Sequence, residues 1–172
     1  LEHPEDIMGL ILIASGGIGT SEDLENFKDS DDAPFVWKIL NSKMAGQLLL
    51  YFTPKFFAEQ GLRTSVVDQD LVSNEWIDEF HDLVLLEGSR EAIGSIFLSN
   101  PNIFENPEKL VDIKTPTLII HGEEDSLVEV ENSKYYVANI PNIEIKIYSN
   151  IGHWPIYEDP QRTSNDIISF IK

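Results

Sequence analysis

The sequence predicts an α/β protein whose parallel sheet is interrupted by a long all-helical insertion. Three observations carry this. Short, almost purely apolar runs sit at Ile7–Ala14 ("IMGLILIA"), Thr117–Ile120 ("TLII") and Ile143–Tyr148 ("IEIKIY"). From about 111 to 172, strand-like and helix-like patterns alternate. Between about 18 and 110, helix signals follow one another and no convincing strand intervenes.

The apolar run at Ile7–Ala14 leaves into "SGG", as a buried strand of a parallel sheet does. Thr117–Ile120 lies between Pro116 and "HGEED" and reads the same way. Ile143–Tyr148 alternates, with Ile143, Ile145 and Ile147 on one side and Glu144 and Lys146 on the other, which suits a strand near a sheet edge. Val130–Asn139 has helical spacing, and so does Arg162–Ile171, with Pro160 near its start. Strand, helix, strand, helix is the rhythm of a parallel sheet with crossover helices.

In the long middle stretch, Asp31, Asp32 and Pro34 open a helix through Trp37, Leu40, Met44 and Leu48. Thr53 and Pro54 read as cap and first position for "KFFAEQGL". Ser73 opens "NEWIDEFHDLVLLEG", with Trp76, Ile77, Phe80 and Val84 on one stripe and Gly88 as terminator. Ser89 opens another helix, and Asn106–Pro107 starts a short turn. The expected organisation is a core strand with its exit loop at 1–17, a helical block at 18–110, and the rest of the α/β core at 111–172.

Composition excludes several classes of function. At 172 residues and 42% hydrophobic content, the chain can build one globular core. A net charge of −18 argues against nucleic acid and against anionic membranes, since both need clustered Lys and Arg. No apolar run is long enough to span a bilayer. There is no cysteine, so no disulfide, thiolate nucleophile or Cys-based metal site exists. A cytoplasmic location is the expectation. The chain opens on "LEHPEDIMGL" and reads like the interior of a longer protein.

Two side chains stand where α/β sheets bind ligands, beyond the carboxyl ends of strands. Asp125 follows "TLII" within "HGEEDSLV", and His153 follows "IEIKIY" within "SNIGHWP". If the strands are neighbours, both side chains reach one rim. A carboxylate on one imidazole nitrogen fixes the tautomer, and the other nitrogen can then take a proton. Either residue alone has a plainer explanation, Asp as a turn former and His as an exposed or core ring. The pair in this order favours chemistry.

"PTLIIHGEEDSLV" followed by "IGHWPIYEDPQRTSNDIISFI" resembles the C-terminal part of the α/β-hydrolase superfamily. Gly122-Glu123-Glu124-Asp125 matches the family's G-x-x-D acid, and Gly152-His153 matches its G-H base. "HPEDIMGLILIASGG" resembles the strand leading into the lid, and 18–110 the helical cap. The likeness covers nearly the whole chain. It implies a hydrolase with a nucleophile–His–Asp triad and no cofactor or metal. The substrates would be small, largely apolar esters, amides or C–C compounds. "GHW" resembles the histidine turn of meta-cleavage-product hydrolases.

One departure stands out. No G-x-S-x-G nucleophile elbow occurs in the sequence. The nucleophile and oxyanion-hole loop are therefore expected in a preceding N-terminal half, the implied partner of this one, and this chain alone is expected to be inactive. An aspartate nucleophile, as in haloalkane dehalogenases or epoxide hydrolases, fits equally. A non-catalytic or partner-dependent half-domain is the alternative from another class. Some family members take the acid from the loop after the earlier strand, but here that loop is "SGGIG", without a carboxylate.

Other features are read plainly. Glu123 and Glu124 are expected to be solvated neighbours, His121 a structural ring and Trp154 a packing residue. His3 and His81 carry no signal. Glu22–Asp32 lacks the spacing of a calcium loop. Phe35, Trp37, Phe52, Phe56, Phe57, Trp76 and Phe80 could line a substrate pocket, but at helical spacing such residues are more often core and none is assigned, and Gly16–Gly17 is too slight for a phosphate loop.

Overall fold

The computed structural model describes residues 3–16, 51–98 and 107–172. The expected helix through Trp37, Leu40, Met44 and Leu48, the acidic run Glu22–Asp32, Phe35, Gly17 and Asn106 lie outside the described residues. Within them, strands β1 (Leu10–Ile13), β2 (Thr117–Gly122) and β3 (Ile143–Tyr148) form a parallel sheet in the order β1-β2-β3. The helices are α1 (Lys55–Ser65), α2 (Asn74–Leu85), α3 (Ser89–Leu98), α4 (Glu131–Asn139), α5 (Pro155–Glu158) and α6 (Pro160–Phe170). Short 3-10 turns lie at Pro4–Asp6, Gln69–Leu71 and Pro107–Asp112.

β1 is shorter than its apolar run, because Ile7–Gly9 precede the ladder. β2 is longer, because His121 and Gly122 continue pairing with Ile147 and Tyr148. All six β2 residues are buried, as expected of a central parallel strand covered on both faces.

The alternation of β2 divides the core in two. Ile119 packs with Leu110, Tyr136 and Ile140, joined by Leu12, Ile143 and Ile145. Leu118 and Ile120 pack on the opposite face with Tyr148 and Ile151, joined by Ile11, Ile13, Ile167 and Phe170. α4 therefore covers one face and α6 the other. Burying each such aliphatic side chain contributes about 1.5–3 kcal/mol. In β3, Ile143 and Ile145 face the first cluster, while Glu144 on the other face pairs with Lys146 at 2.7 Å.

α6 begins at Pro160, two residues before the start read from the sequence. The Asp159 carboxylate accepts from the Arg162 N–H at 3.0 Å, and Pro160 occupies the first turn, where its missing N–H costs nothing. The Arg162 guanidinium lies over the Tyr148 ring, 3.8 Å from its centre.

The described residues fall into two compact units. One holds 3–16, 65–71 and 107–172, and the other holds 51–64 and 72–98. The segment 65–71, inside the stretch read from sequence as helical insertion, thus groups with the sheet. In the second unit Ser73 caps α2 by accepting from the Trp76 N–H at 3.1 Å. Ile77 is buried, Trp76, Phe80 and Val84 share its stripe half-buried, and Gly88 follows with φ +83°. The described part of the middle stretch contains helices and no strand. Phe52 and Phe56 are exposed rather than packed in a core. No helix among the described residues is long and apolar enough to cross a membrane.

Candidate acid–base site at the strand ends

Parallel pairing of β2 with β3 puts the loops that follow them side by side. Their approach is so close that a β-carbon on Gly122 would overlap the carbonyl oxygens of Ile151 and Gly152. Gly122 is thus required by contact between loops. The loops are also stitched together. The Glu123 N–H donates to Tyr148 O (2.9 Å) and the Glu124 N–H to Ile151 O (3.1 Å). Both carboxylates, read from sequence as mere solvated neighbours, take part: Ser149 Oγ donates to Glu123 and the Ile151 N–H to Glu124. Asn150 makes the turn after β3 with φ +59°, a region Asn tolerates better than most residues.

Asp125 and His153 meet across this seam. Asp125 Oδ2 lies 2.8 Å from His153 Nδ1. The Asp125 side chain is fully buried, whereas the His153 ring keeps 23% of its surface exposed. The carboxylate can only accept, so Nδ1 carries the proton and Nε2 presents a lone pair. Asp125 Oδ1 accepts from the N–H groups of Leu127 and Val128, both at 2.9 Å, in a turn that Asp closes on its own backbone.

Oδ2 has a second imidazole. His121 Nε2 lies 3.2 Å from it and 2.9 Å from Val128 O, while His121 Nδ1 meets Ser133 Oγ at 2.6 Å. A backbone carbonyl only accepts, so Nε2 bears the proton and Nδ1 accepts from the serine hydroxyl. Every polar atom of His121 is satisfied with the ring neutral, and the ring is wholly buried. His121 is structural, as expected, yet it also braces the carboxylate. Burial alone would raise the Asp125 carboxyl. The hydrogen bonds from His121, His153 and the Val128 N–H outweigh it and hold the group well below the usual carboxylate range.

The turn bearing His153 is fixed from elsewhere. The His153 N–H donates to Ser65 O at 2.8 Å, and Trp154 Nε1 donates to Ser65 Oγ at 2.7 Å. A β-carbon on Gly152 would fall 2.5 Å from that same Ser65 carbonyl. Trp154 also packs edge-on against the His153 ring and against Tyr157. Glu158 completes the turn. Its Oε1 accepts from Gly152 N–H (2.9 Å) and Trp154 N–H (3.2 Å), and its Oε2 accepts from Val67 N–H (2.8 Å). Sequence reasoning passed over Glu158, Ser65 and Ser133. Glu158 had a signal: an acid on the first turn after Trp154-Pro155 can reach back to the N–H groups that open a helix, as in a capping box. Ser65 had none, because its partners are long-range.

An acid and a histidine at the carboxyl ends of adjacent parallel strands, with helices on both faces, form the arrangement that the resemblance to α/β hydrolases implies. Solved structures agree. The chain superimposes with TM-score 0.72 on the meta-cleavage product hydrolase of Pseudomonas fluorescens (19% identity, 98% of this chain and 57% of that one). It does so with TM-score 0.75 on the 2-hydroxy-6-oxo-6-phenylhexa-2,4-dienoate hydrolase of a Rhodococcus species (15% identity, 98% and 57%). Among curated proteins it is 24% identical to the monoacylglycerol lipase ABHD6 of Rattus norvegicus, over 98% of this chain and 49% of that protein. It is 23% identical to the 2-hydroxy-6-oxo-6-phenylhexa-2,4-dienoate hydrolase of Burkholderia cepacia, over 99% and 56%. No family model matches the chain. The chain shares the α/β-hydrolase fold with these proteins and spans about half the length of the curated relatives it matches.

Proposed function

We propose that this chain supplies the acid and base of a cofactor-free hydrolase triad, with His153 as base and Asp125 as the acid that orients it. The observation that carries the reading is the 2.8 Å bond from a fully buried Asp125 carboxylate to Nδ1 of a partly exposed His153. It leaves Nε2 available to take a proton from a nucleophile and return it to the leaving group. Asp125, saturated with donors, stays ionised and stabilises the imidazolium as it forms. No G-x-S-x-G elbow occurs in these 172 residues, so the reading takes its nucleophile, a serine or an aspartate, from outside them. The substrates are small, largely apolar esters, amides or C–C compounds. The names of the relatives, a monoacylglycerol lipase and C–C dienoate hydrolases, favour that range.

The test compares full-length protein with its His153→Ala variant on a p-nitrophenyl ester and on a vinylogous dienoate. Turnover lost with His153 supports the reading, and turnover kept in the variant overturns it. The 172-residue chain alone is expected to show none. An aspartate nucleophile would instead take up one solvent oxygen per single turnover in ¹⁸O water, which a serine does not.

A further inference from the structure

We propose that Glu158 is a positioning residue for His153, a carboxylate clamp that fixes where the imidazole points; this rests on the reading of His153 as the base. Glu158 spends both oxygens on backbone N–H groups. Oε1 holds Gly152 and Trp154, the two residues that flank His153, and Oε2 holds Val67, 91 residues away. The His153 N–H itself goes to Ser65 O, two residues before Val67. The N–H groups of the two residues that flank the base are thus tied to one carboxylate, and that carboxylate is tied to the segment that holds the base's own N–H.

Glu158 Oε1 accepts from the N–H groups of both Gly152 and Trp154. Gly152 cannot carry a side chain without meeting Ser65 O at 2.5 Å, Glu158 Oε1 at 3.2 Å and Val66 Cα at 3.2 Å. The seat is therefore filled by backbone and by Glu158. Three charge-assisted bonds to one carboxylate are among the stronger hydrogen bonds a turn can make. Without Glu158, two half-buried N–H groups lose their acceptor, and the turn rotates to find water. His153 moves with it while Asp125, held by its own loop, does not. A displacement near 1 Å at a reacting group costs roughly a hundredfold in rate.

Gln is the informative substitution. Its carbonyl oxygen can still accept from Gly152 and Trp154, but its amide nitrogen would face the Val67 N–H, donor against donor. The expected order of effect is therefore Glu158→Ala greater than Glu158→Gln.

The experiment measures kcat and KM of the full-length protein for a p-nitrophenyl ester in wild type, Glu158→Gln, Glu158→Ala and His153→Ala. NMR of the His153 Nδ1–H, identified by its loss in His153→Ala, is recorded alongside. Expected are a kcat drop of roughly ten- to a hundredfold in Glu158→Ala, a smaller one in Glu158→Gln, and KM within about twofold. The His153 Nδ1–H resonance shifts in both, and the Leu127 and Val128 amide resonances do not. A purely structural Glu158 would lower the unfolding temperature but leave kcat and that resonance unchanged in the folded protein. That outcome overturns the proposal. If Glu158→Ala does not fold, Glu158→Gln alone decides by the same two readouts. If turnover survives in His153→Ala, the base reading has failed, and the Nδ1–H resonance still reports whether Glu158 positions the ring.

Discussion

In the loop after β2, the Asp125 carboxylate is held by the two N–H groups that follow it and by a histidine four residues before it. In the loop after β3, His153 is held by Ser65 and by a glutamate that also binds Val67, partners far away in sequence. Apart from its bond to His153, the Asp125 carboxylate takes its partners from its own strand and loop. The base sits in a turn that other segments must assemble. Damage near Asp125 should therefore stay local, whereas damage to distant residues should reach His153.

The largest effect expected is from Asp125→Asn in the full-length protein. Asn keeps an oxygen for Leu127 and Val128 but turns an amide N–H₂ toward two imidazole N–H groups, so His153 must adopt the wrong tautomer. Turnover should fall on the order of 10⁴-fold, with the fold retained, as read by kcat and circular dichroism. A drop of less than about tenfold would remove Asp125 from the triad.

The same residue gives a pH signature. Its carboxyl is depressed on folding, so it contributes stability above the unfolded value of about 3.9. That contribution disappears as pH falls below about 4 toward the lower folded value. The difference in unfolding temperature between wild type and Asp125→Asn should thus be constant from pH 5 to 7 and shrink below pH 4. A difference that persists undiminished at pH 3 would contradict the hydrogen-bond account.

Next in size is Gly122→Ala. Its new methyl group runs into the Gly152 and Ile151 carbonyls, which are backbone and cannot swing aside. Separating the loops should cost about 3 kcal/mol or more by denaturant unfolding, at the upper end of overpacking effects. A loss under about 1 kcal/mol would show that the two loops can part cheaply, and the contrast between them would weaken.

How much of this was legible in the sequence follows the same division. The strands and α6 could be read because apolar period, Pro160 and the Asp159 cap are local signals. Asp125 and His153 could be read as a pair because each ends a strand, and parallel neighbours put strand ends on one rim. His121 was seen as a core ring, but its bond to Asp125 depends on how the loop folds back, and periodicity does not carry that. Ser65 was missed because its role arises only when segment 65–71 is seated beside the histidine turn, and Glu158, despite its local signal one turn after Trp154, owes its bond to Val67 to the same seating. No spacing within the chain encodes a contact across some 90 residues.

The smallest effects make the sharpest comparison. Two buried serines each support one loop through a side-chain bond. Ser133 Oγ donates to His121 behind the acid, and Ser65 Oγ accepts from Trp154 beside the base. Replacing either by Ala should cost about 1 kcal/mol in stability, the usual net worth of such a bond. The consequences for His153 should differ. After Ser133→Ala, Asp125 keeps its two backbone donors and its bond to His153, so the His153 Nδ1–H resonance should stay put. After Ser65→Ala, Trp154 loses an anchor, and its ring packs edge-on against His153, so the resonance should move although the Ser65 carbonyl remains. Equal shifts in both variants would mean that the two loops respond as one body.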